Sequence, residues 1–201
     1  MNKGRLIVFS APSGCGKGTM LAKITEDKNF YCAVSATTRS PRRGETEGVD
    51  YYYLTKEEFE QKISEGAFFE YAPYCDNYYG TLLSEVNPKL EAGINVILEI
   101  EVQGAMRIRE LSPDAMFIFV MPPSVKELRR RLKKRGTESK EVIEKRISKA
   151  LDEIPYAKKY DYVIVNAALE DAVSDFFTII RTDQLTVKAQ SEFIDEVIKN
   201  A

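Results

Sequence analysis

A glycine-rich segment near the amino terminus has the residue types and the spacing to bind phosphate. It follows an apolar run at residues 5–10 and precedes a stretch with the apolar spacing of a helix. In such a strand–loop–helix, successive backbone N–H groups point into one concave turn, and the helix N-terminus adds a partial positive charge. Gly14 and Gly16 permit a close backbone approach, and Lys17 supplies a mobile charge for the outer phosphates. The predicted nucleotide phosphate site comprises Ala11, Pro12, Ser13, Gly14, Cys15, Gly16, Lys17, Gly18 and Thr19.

Two positions of this loop depart from the common G-x-x-x-x-G-K-[ST] pattern. Ala11 stands at the first glycine, and Gly18 stands where a hydroxyl side chain would ligate Mg²⁺. No protein metal ligand is therefore assigned, and Mg²⁺ would arrive on the nucleotide phosphates, with the Thr19 hydroxyl or water as further ligands. Cys15 lies near the helix N-terminus, where a thiolate could be favoured, or it is a small filler residue; the sequence leaves both open.

Composition excludes several classes of function. The 201 residues include no histidine, which removes Ser-His-Asp, Cys-His and histidine–metal chemistry. The three cysteines show no paired spacing, which is typical of a reducing compartment, and no apolar stretch reaches the roughly 18 residues of a membrane span. A net charge of −2 argues against a dedicated nucleic-acid binder. We expect a cytoplasmic protein without nucleic-acid or membrane partners; monomer and homodimer both remain open.

Apolar runs alternate with helical patterns along most of the chain. This alternation predicts an α/β fold whose parallel sheet is covered by helices on both faces. Residues 35–84 break the alternation, because they are rich in Tyr, Thr, Arg and Gly and contain only short strand-like pieces and one short helix. We predict that they form an inserted lobe at the carboxyl end of the sheet. The predicted strands cover residues 5–10, 95–100, 116–120 and 162–165, with lobe strands near 50–54, 67–74 and 77–82; the predicted helices cover 17–27, 56–65, 106–111, 124–134, 141–154 and 169–200, the last with a break near Asp183.

Motifs in the lobe and after it resemble those of guanylate kinases. The signature-like stretch is Thr37-Thr-Arg-Ser-Pro-Arg-Arg-Gly-Glu45, followed by Gly48 and by Asp50-Tyr-Tyr-Tyr-Leu54. Phe68-Phe-Glu-Tyr71, Asn77-Tyr-Tyr-Gly-Thr81 and Leu98-Glu-Ile-Glu-Val-Gln-Gly104 are similar to further segments of that family. The resemblance implies transfer of phosphate from ATP to GMP, and to dGMP, with Mg²⁺ as cofactor. It also implies a three-layer P-loop α/β fold in one domain over 1–201: a parallel-sheet core (1–34, 85–135 and 142–201), a GMP-binding lobe (35–84) and a small lid (about 136–141).

The same resemblance implies roles for residues of the acceptor site. Arg39 and Arg42 would bind the GMP phosphate, for which planar bidentate donors are well suited. Glu70 would accept from the two adjacent donors of guanine, whereas adenine would present an acceptor to it. Glu101 stands where the family has Asp, near the base or the water shell of the metal. The implied GMP-binding residues are Ser35, Arg39, Arg42, Tyr51, Glu70, Tyr79, Thr81 and Glu101.

The charged stretch Lys126–Arg146 has three interpretations: a solvated helix face, a nucleic-acid patch, or the lid that the resemblance implies. In the third, Arg131, Arg135 and Arg146 contact the transferring phosphates, and Asn166 lies near the adenine of ATP. The implied catalytic residues are Lys17, Arg39, Arg42, Arg131, Arg135 and Arg146. Two rival functions remain: a kinase of another monophosphate, suggested by the Gly-Lys-Gly-Thr ending that adenylate kinases share, and a protein-binding module of the scaffold type. The intact phosphate loop argues against the second.

Overall fold

The computed structural model of the chain describes residues 3–74, 76–134 and 139–200. Strands and helices alternate through them, as the apolar pattern predicts. The strands are β1 (Leu6–Ser10), β2 (Phe30–Cys32), β3 (Ser35–Thr37), β4 (Tyr52–Tyr53), β5 (Phe68–Tyr74), β6 (Asn77–Leu82), β7 (Asn95–Glu99), β8 (Met116–Met121) and β9 (Tyr162–Val165). The helices are α1 (Lys17–Ile24), α2 (Lys56–Ser64), α3 (Leu83–Glu91), α4 (Val102–Leu111), α5 (Val125–Lys134), α6 (Lys140–Glu153), α7 (Leu169–Gln184) and α8 (Ser191–Lys199), with a 3₁₀ helix at Ile154–Lys159.

Five parallel strands form the central sheet, in the order β2-β7-β1-β8-β9. Successive side chains of a strand point to opposite faces, so β1 contributes to two cores. Ile7 and Phe9 pack with apolar residues of α1 and α7, whereas Val8 packs with those of α3 and α4. The sheet is therefore covered on both faces, and the predicted three-layer α/β fold class is confirmed. The carboxyl ends of the strands meet at one edge, where ligands bind in open α/β sheets.

The lobe contains a second sheet, in the order β4-β3-β6-β5. Strand β6 is antiparallel to both β3 and β5, and its Thr81 lies opposite Ser35 on one side and Glu70 on the other. Phe59 of α2 is fully buried beneath this sheet and stacks on Phe68, with ring centroids 4.3 Å apart. This packing holds the strands that carry the predicted acceptor residues.

Glu85, on α3, connects the two sheets through tyrosine hydroxyls. Tyr31 of the central sheet donates to one carboxylate oxygen at 2.5 Å, and Tyr52 of the lobe donates to the other at 2.7 Å. Burial, followed by the bond to Glu85, raises the pKa of Tyr31, so its hydroxyl remains a donor. One carboxylate thus joins the core to the lobe.

Several element boundaries differ from the predictions. Helix α1 ends at Ile24, three residues before the predicted end, because Asp27 instead accepts hydrogen bonds from Asn29 in a turn. Helix α3 was not predicted, since Pro88 lies inside it and proline usually interrupts a helix. The break near Asp183 is confirmed by the end of α7 and the start of α8. Among the described helices, none is both long and apolar enough to cross a bilayer.

Candidate active site

The phosphate loop lies between β1 and α1, at the carboxyl edge of the central sheet. Gly14 and Gly16 have φ angles of 91° and 84°, in the left-handed region that favours glycine. A Cβ on Gly14 would lie 2.8 Å from the Leu132 side chain, and one on Gly16 would lie 2.7 Å from the amide nitrogen of Asn166. Both positions therefore require glycine on two grounds, backbone conformation and space.

The Asn166 side chain braces this loop. Its Nδ2 donates to the carbonyl oxygen of Cys15 at 2.8 Å, across 151 positions of sequence, and the residue is buried. The backbone carbonyl oxygen of Asn166 accepts from Nη2 of Arg131 at 2.9 Å, while Nε of Arg131 donates to Glu127 at 2.8 Å. The resemblance implies a position near adenine for Asn166, and the sequence gives no signal for this supporting contact. Arg131 and Asn166 are thus coupled to each other and to the loop.

Cys15 is buried, with 1% of its surface exposed, among Leu128, Leu132 and other apolar residues of α5 and α6. Burial raises the pKa of its thiol to about 12, although Arg131 and Lys17 act in the opposite direction. Of the two alternatives that the sequence leaves open for Cys15, burial favours the small filler residue over the thiolate.

Lys17 begins α1, and its Nζ lies 3.4 Å from Oε1 of Glu99 at the end of β7. Sequence reasoning gave Glu99 no role, because only the fold brings the carboxyl end of β7 beside the loop. Within the described ranges, no cluster of three His, Cys, Asp or Glu side chains could hold a metal ion by itself. Space is open beside Gly18, and Thr19 is exposed.

A cavity of about 350 Å³ opens between the lobe and the segment that joins β7 to α4. Its volume is within the range of roughly 300–1,000 Å³ that is usual for small-molecule pockets. Glu99 and Gly104 also line it. Among the eight predicted GMP-binding residues, those that line the cavity are Ser35, Arg39, Arg42, Tyr51, Glu70, Tyr79 and Glu101.

One group of residues that line the cavity is basic and aromatic. Arg39 lies over the Tyr51 ring, with its guanidinium carbon 5.4 Å from the ring centroid, and the rings of Tyr51 and Tyr79 are 6.0 Å apart. Glu45 accepts two hydrogen bonds from Arg39, each of 3.0 Å. These bonds are the largest of several contacts that raise the pKa of Arg39, so its charge is permanent. The geometry suits a dianionic group.

The lining of the cavity also includes a buried carboxylate. Glu70 is 7% exposed, its Oε1 accepts from the Thr81 hydroxyl at 3.0 Å, and Oε2 is 3.7 Å from the position of a Cβ on Gly104. Burial raises the pKa of Glu70, and hydrogen bonding from Thr81 and the charge of Arg107 oppose the rise. Thr81 itself is 1% exposed and contacts Glu70 behind the cavity, so the residue orients the carboxylate. A ligand with two adjacent hydrogen-bond donors would complement the carboxylate of Glu70.

Helix α6 reaches both nucleotide regions. Nη1 of Arg146 donates to Oγ of Ser13 in the phosphate loop at 3.2 Å. One turn later, Nζ of Lys149 lies 3.2 Å from both carboxylate oxygens of Glu101 at the acceptor cavity. The longer side chain at the position where the family has Asp thus makes an ion pair across the site, and sequence reasoning missed Lys149. Burial raises the pKa of Glu153, which also approaches Lys149 at 3.5 Å.

Parts of the charged stretch are an ordinary surface. Arg129 pairs with Glu144 at 3.0 Å, and Arg130 pairs with Glu127 at 2.7 Å, as expected for a solvated helix face. The predicted catalytic residue Arg135 and residues 136–138 of the predicted lid lie outside the described residues.

Comparison with known proteins identifies the family. The family model described as guanylate kinase matches residues 3–183. A guanylate kinase of Latilactobacillus sakei subsp. sakei is 52% identical over 188 residues, 92% of this chain and 93% of the relative. One of Lactiplantibacillus plantarum is 46% identical over 201 residues, with coverage of 99% and 98%. The crystal structure of guanylate kinase from Anaplasma phagocytophilum superposes with a TM-score of 0.74 at 35% identity, covering 92% of this chain and 88% of that one. The chain therefore belongs to the guanylate kinase family.

Proposed function

We propose that the chain transfers the γ-phosphoryl group of ATP to GMP, producing ADP and GDP, and that dGMP is also an acceptor. The observation that carries the proposal is that one cavity beside the phosphate loop is lined both by a buried carboxylate, Glu70, and by two arginines, Arg39 and Arg42. A nucleoside monophosphate has the two corresponding parts, a base and a phosphate.

Base selection would depend on Glu70. Guanine presents N1–H and an amino group side by side, and the carboxylate of Glu70 can accept a hydrogen bond from each of them. Adenine presents an acceptor at N1, so its lone pair would face the carboxylate without a hydrogen. Sites built to hydrogen-bond one substrate can reject an analogue by roughly 10⁴–10⁵. Because Glu70 is buried, water cannot compensate for the missing bond, and guanine is favoured.

Transfer would require positioning and charge stabilisation rather than a general base. The GMP phosphate is already ionised near neutral pH, so its oxygen can attack without losing a proton to the protein. Lys17 and the loop N–H groups would hold the β- and γ-phosphates, while Arg39 and Arg42 would hold the acceptor. Arg131, which is hydrogen-bonded to Asn166, and Arg146, which is hydrogen-bonded to Ser13 of the loop, would offset charge on the transferring group. The ATP-binding set remains the predicted loop residues with Asn166 as their support.

Mg²⁺ is the proposed cofactor, supplied with ATP. When bound, it would neutralise charge on the β- and γ-phosphates. The exposed Thr19 hydroxyl and the Glu99 carboxylate near Lys17 are the protein groups that fit its hydration shell, since oxygen donors suit Mg²⁺.

A comparison of acceptors tests this function. ADP release from ATP and Mg²⁺ should be fast with GMP, slower but measurable with dGMP, and at least about 10³-fold less efficient, in kcat/KM, with AMP or UMP. Equal efficiency with AMP would contradict the role of Glu70 and favour a kinase of another monophosphate. No turnover with any acceptor, together with no binding of ATP, would favour a binding module.

A further inference from the structure

Glu45 is the acceptor of an unusual number of hydrogen bonds in the lobe. Its two oxygens each accept from the guanidinium of Arg39 at 3.0 Å. Oε2 also accepts from the backbone N–H of Arg42 at 2.7 Å and from the hydroxyl of Tyr53 at 2.8 Å. Glu45 thus contacts both predicted phosphate-binding arginines, Arg39 through its guanidinium and Arg42 through its backbone. It is the last residue of the signature-like stretch, and the sequence assigned it no role.

These bonds fix the orientation of Arg39. A guanidinium has five N–H donors, of which Glu45 takes two and the carbonyl oxygen of Ser40 takes a third, at 2.8 Å. The ring of Tyr51 lies against one face of the group. An arginine on a surface lobe would otherwise lose rotamer freedom when the phosphate binds. Here that freedom is already lost before the acceptor arrives.

Glu45 acts on Arg42 through the backbone. The bond from the Arg42 N–H, together with the Glu45 N–H donating to the Arg42 carbonyl at 3.1 Å, closes the turn between the two residues. Gly44, within this turn, has a φ angle of 93°. The side chain of Arg42 is exposed and lines the cavity, so its direction depends on this turn.

We propose that Glu45 is a positioning residue for the acceptor phosphate, which holds Arg39 by its side chain and Arg42 by its backbone in the arrangement that binds the dianion. The inference rests on the proposed function, because it takes the ligand of the two arginines to be the phosphate of GMP. In this role Glu45 acts through Arg39 and Arg42, to which its oxygens are hydrogen-bonded, and not on the reacting atoms.

Charge is essential to this role. The hydrogen bonds from Arg39, followed by that from the Arg42 N–H, lower the pKa of Glu45 to about 2, so the carboxylate is ionised near neutral pH. A glutamine at this position would turn an NH₂ group toward a guanidinium or an N–H, and one of the bonds would become a donor–donor contact. Arg39 would then regain alternative orientations.

The test compares Glu45→Gln with a matched control, Glu47→Gln. Glu47 lies two residues away, is exposed, and accepts from the backbone N–H of Tyr53 at 2.9 Å without contacting either arginine. For each protein, KM for GMP, KM for ATP, kcat and the thermal midpoint are measured, together with the inhibition constant of guanosine, which has the base but no phosphate. Turnover of GMP by the unsubstituted chain is measured first, because its absence would refute the proposed function and leave Glu45 to be judged by GMP and guanosine binding alone.

Glu45→Gln should raise KM for GMP about tenfold to hundredfold, since a misplacement of about 1 Å can have a hundredfold effect. KM for ATP and the inhibition constant of guanosine should change less than twofold, and Glu47→Gln should match the unsubstituted chain. Glu45→Asp, which retains the charge, should recover part of the loss, and it serves in place of Glu45→Gln if that variant does not fold. The proposal is overturned if Glu45→Gln and Glu47→Gln have the same KM for GMP, or if guanosine binding weakens as much as GMP binding.

Discussion

Substitution of Glu70 by glutamine should weaken the recognition of GMP without weakening the fold, so the two roles of this side chain can be measured separately. The Thr81 hydroxyl donates to one oxygen of Glu70, so glutamine would keep its own oxygen there and present NH₂ to the cavity. Guanine donors would then meet a donor. At least one hydrogen bond between guanine and the charged group is lost, and such a bond contributes about 1.5–3 kcal/mol. At about 1.4 kcal/mol per factor of ten, kcat/KM for GMP should fall at least roughly 10–10²-fold.

The effect of Glu70→Gln on folding should be neutral or favourable. Burial raises the folded-state pKa of this carboxyl above its ordinary value of 4.5, so the folded chain binds more protons than the unfolded chain between those two values. The Glu70 contribution to stability is therefore most favourable below that window and is lost as the pH rises through it. Glutamine has no such titration.

The assay is initial-rate kinetics for GMP and ATP, paired with thermal unfolding at pH 4.5 and pH 8. Between these two pH values, the thermal midpoint of the unsubstituted chain should fall relative to that of Glu70→Gln. Retention of kcat/KM for GMP within threefold would refute the account of base recognition. A lower midpoint for Glu70→Gln at pH 8 would show instead that the carboxylate supports the fold.

Three further substitutions or modifications test other parts of the structure. Gly16→Ala should raise KM for ATP at least about tenfold, because a left-handed backbone costs a non-glycine residue about 1–2 kcal/mol and the new Cβ would press on Asn166. An unchanged KM for ATP would be contrary evidence. Alkylation of Cys15 by iodoacetamide at pH 8 should be about a thousandfold slower in the folded than in the unfolded chain, since folding raises the pKa of the thiol from 9.0 to about 12. Equal rates in the two states would favour the thiolate instead. Glu85→Gln should lower the free energy of unfolding in urea by about 1–3 kcal/mol, because Glu85 accepts hydrogen bonds from two tyrosine hydroxyls and glutamine has only one acceptor oxygen. A change below about 0.5 kcal/mol would mean that Glu85 does not join the core to the lobe.

Local spacing explains why much of the fold was predictable. Apolar runs identify β1, β7, β8 and β9, since buried parallel strands have no polar face to disguise them. The phosphate loop was predictable because all of its parts are contiguous in sequence. Helix α3 was not, because Pro88 contradicts a helix locally, while its buried Val86 and Leu90 are held by packing against the sheet.

The supporting residues of the site could not be predicted by the same reasoning. Asn166 and Cys15 are 151 positions apart, and Lys149 and Glu101 are 48 apart, so neither pair has a local pattern. Glu45 is close to its partners in sequence, but a glutamate in a charged turn is most often a solvated side chain. Such contacts depend on side-chain directions that only the assembled lobe defines.

The central claim is that this chain joins a phosphoryl group of ATP to GMP. With ATP labelled at the γ-phosphate, Mg²⁺ and an equimolar mixture of GMP and AMP, the label should appear in the β-phosphate of GDP, with almost none in ADP formed from AMP or in inorganic phosphate. Predominant release of labelled inorganic phosphate, or labelling of the AMP-derived product at a rate equal to that of GDP, would contradict the account.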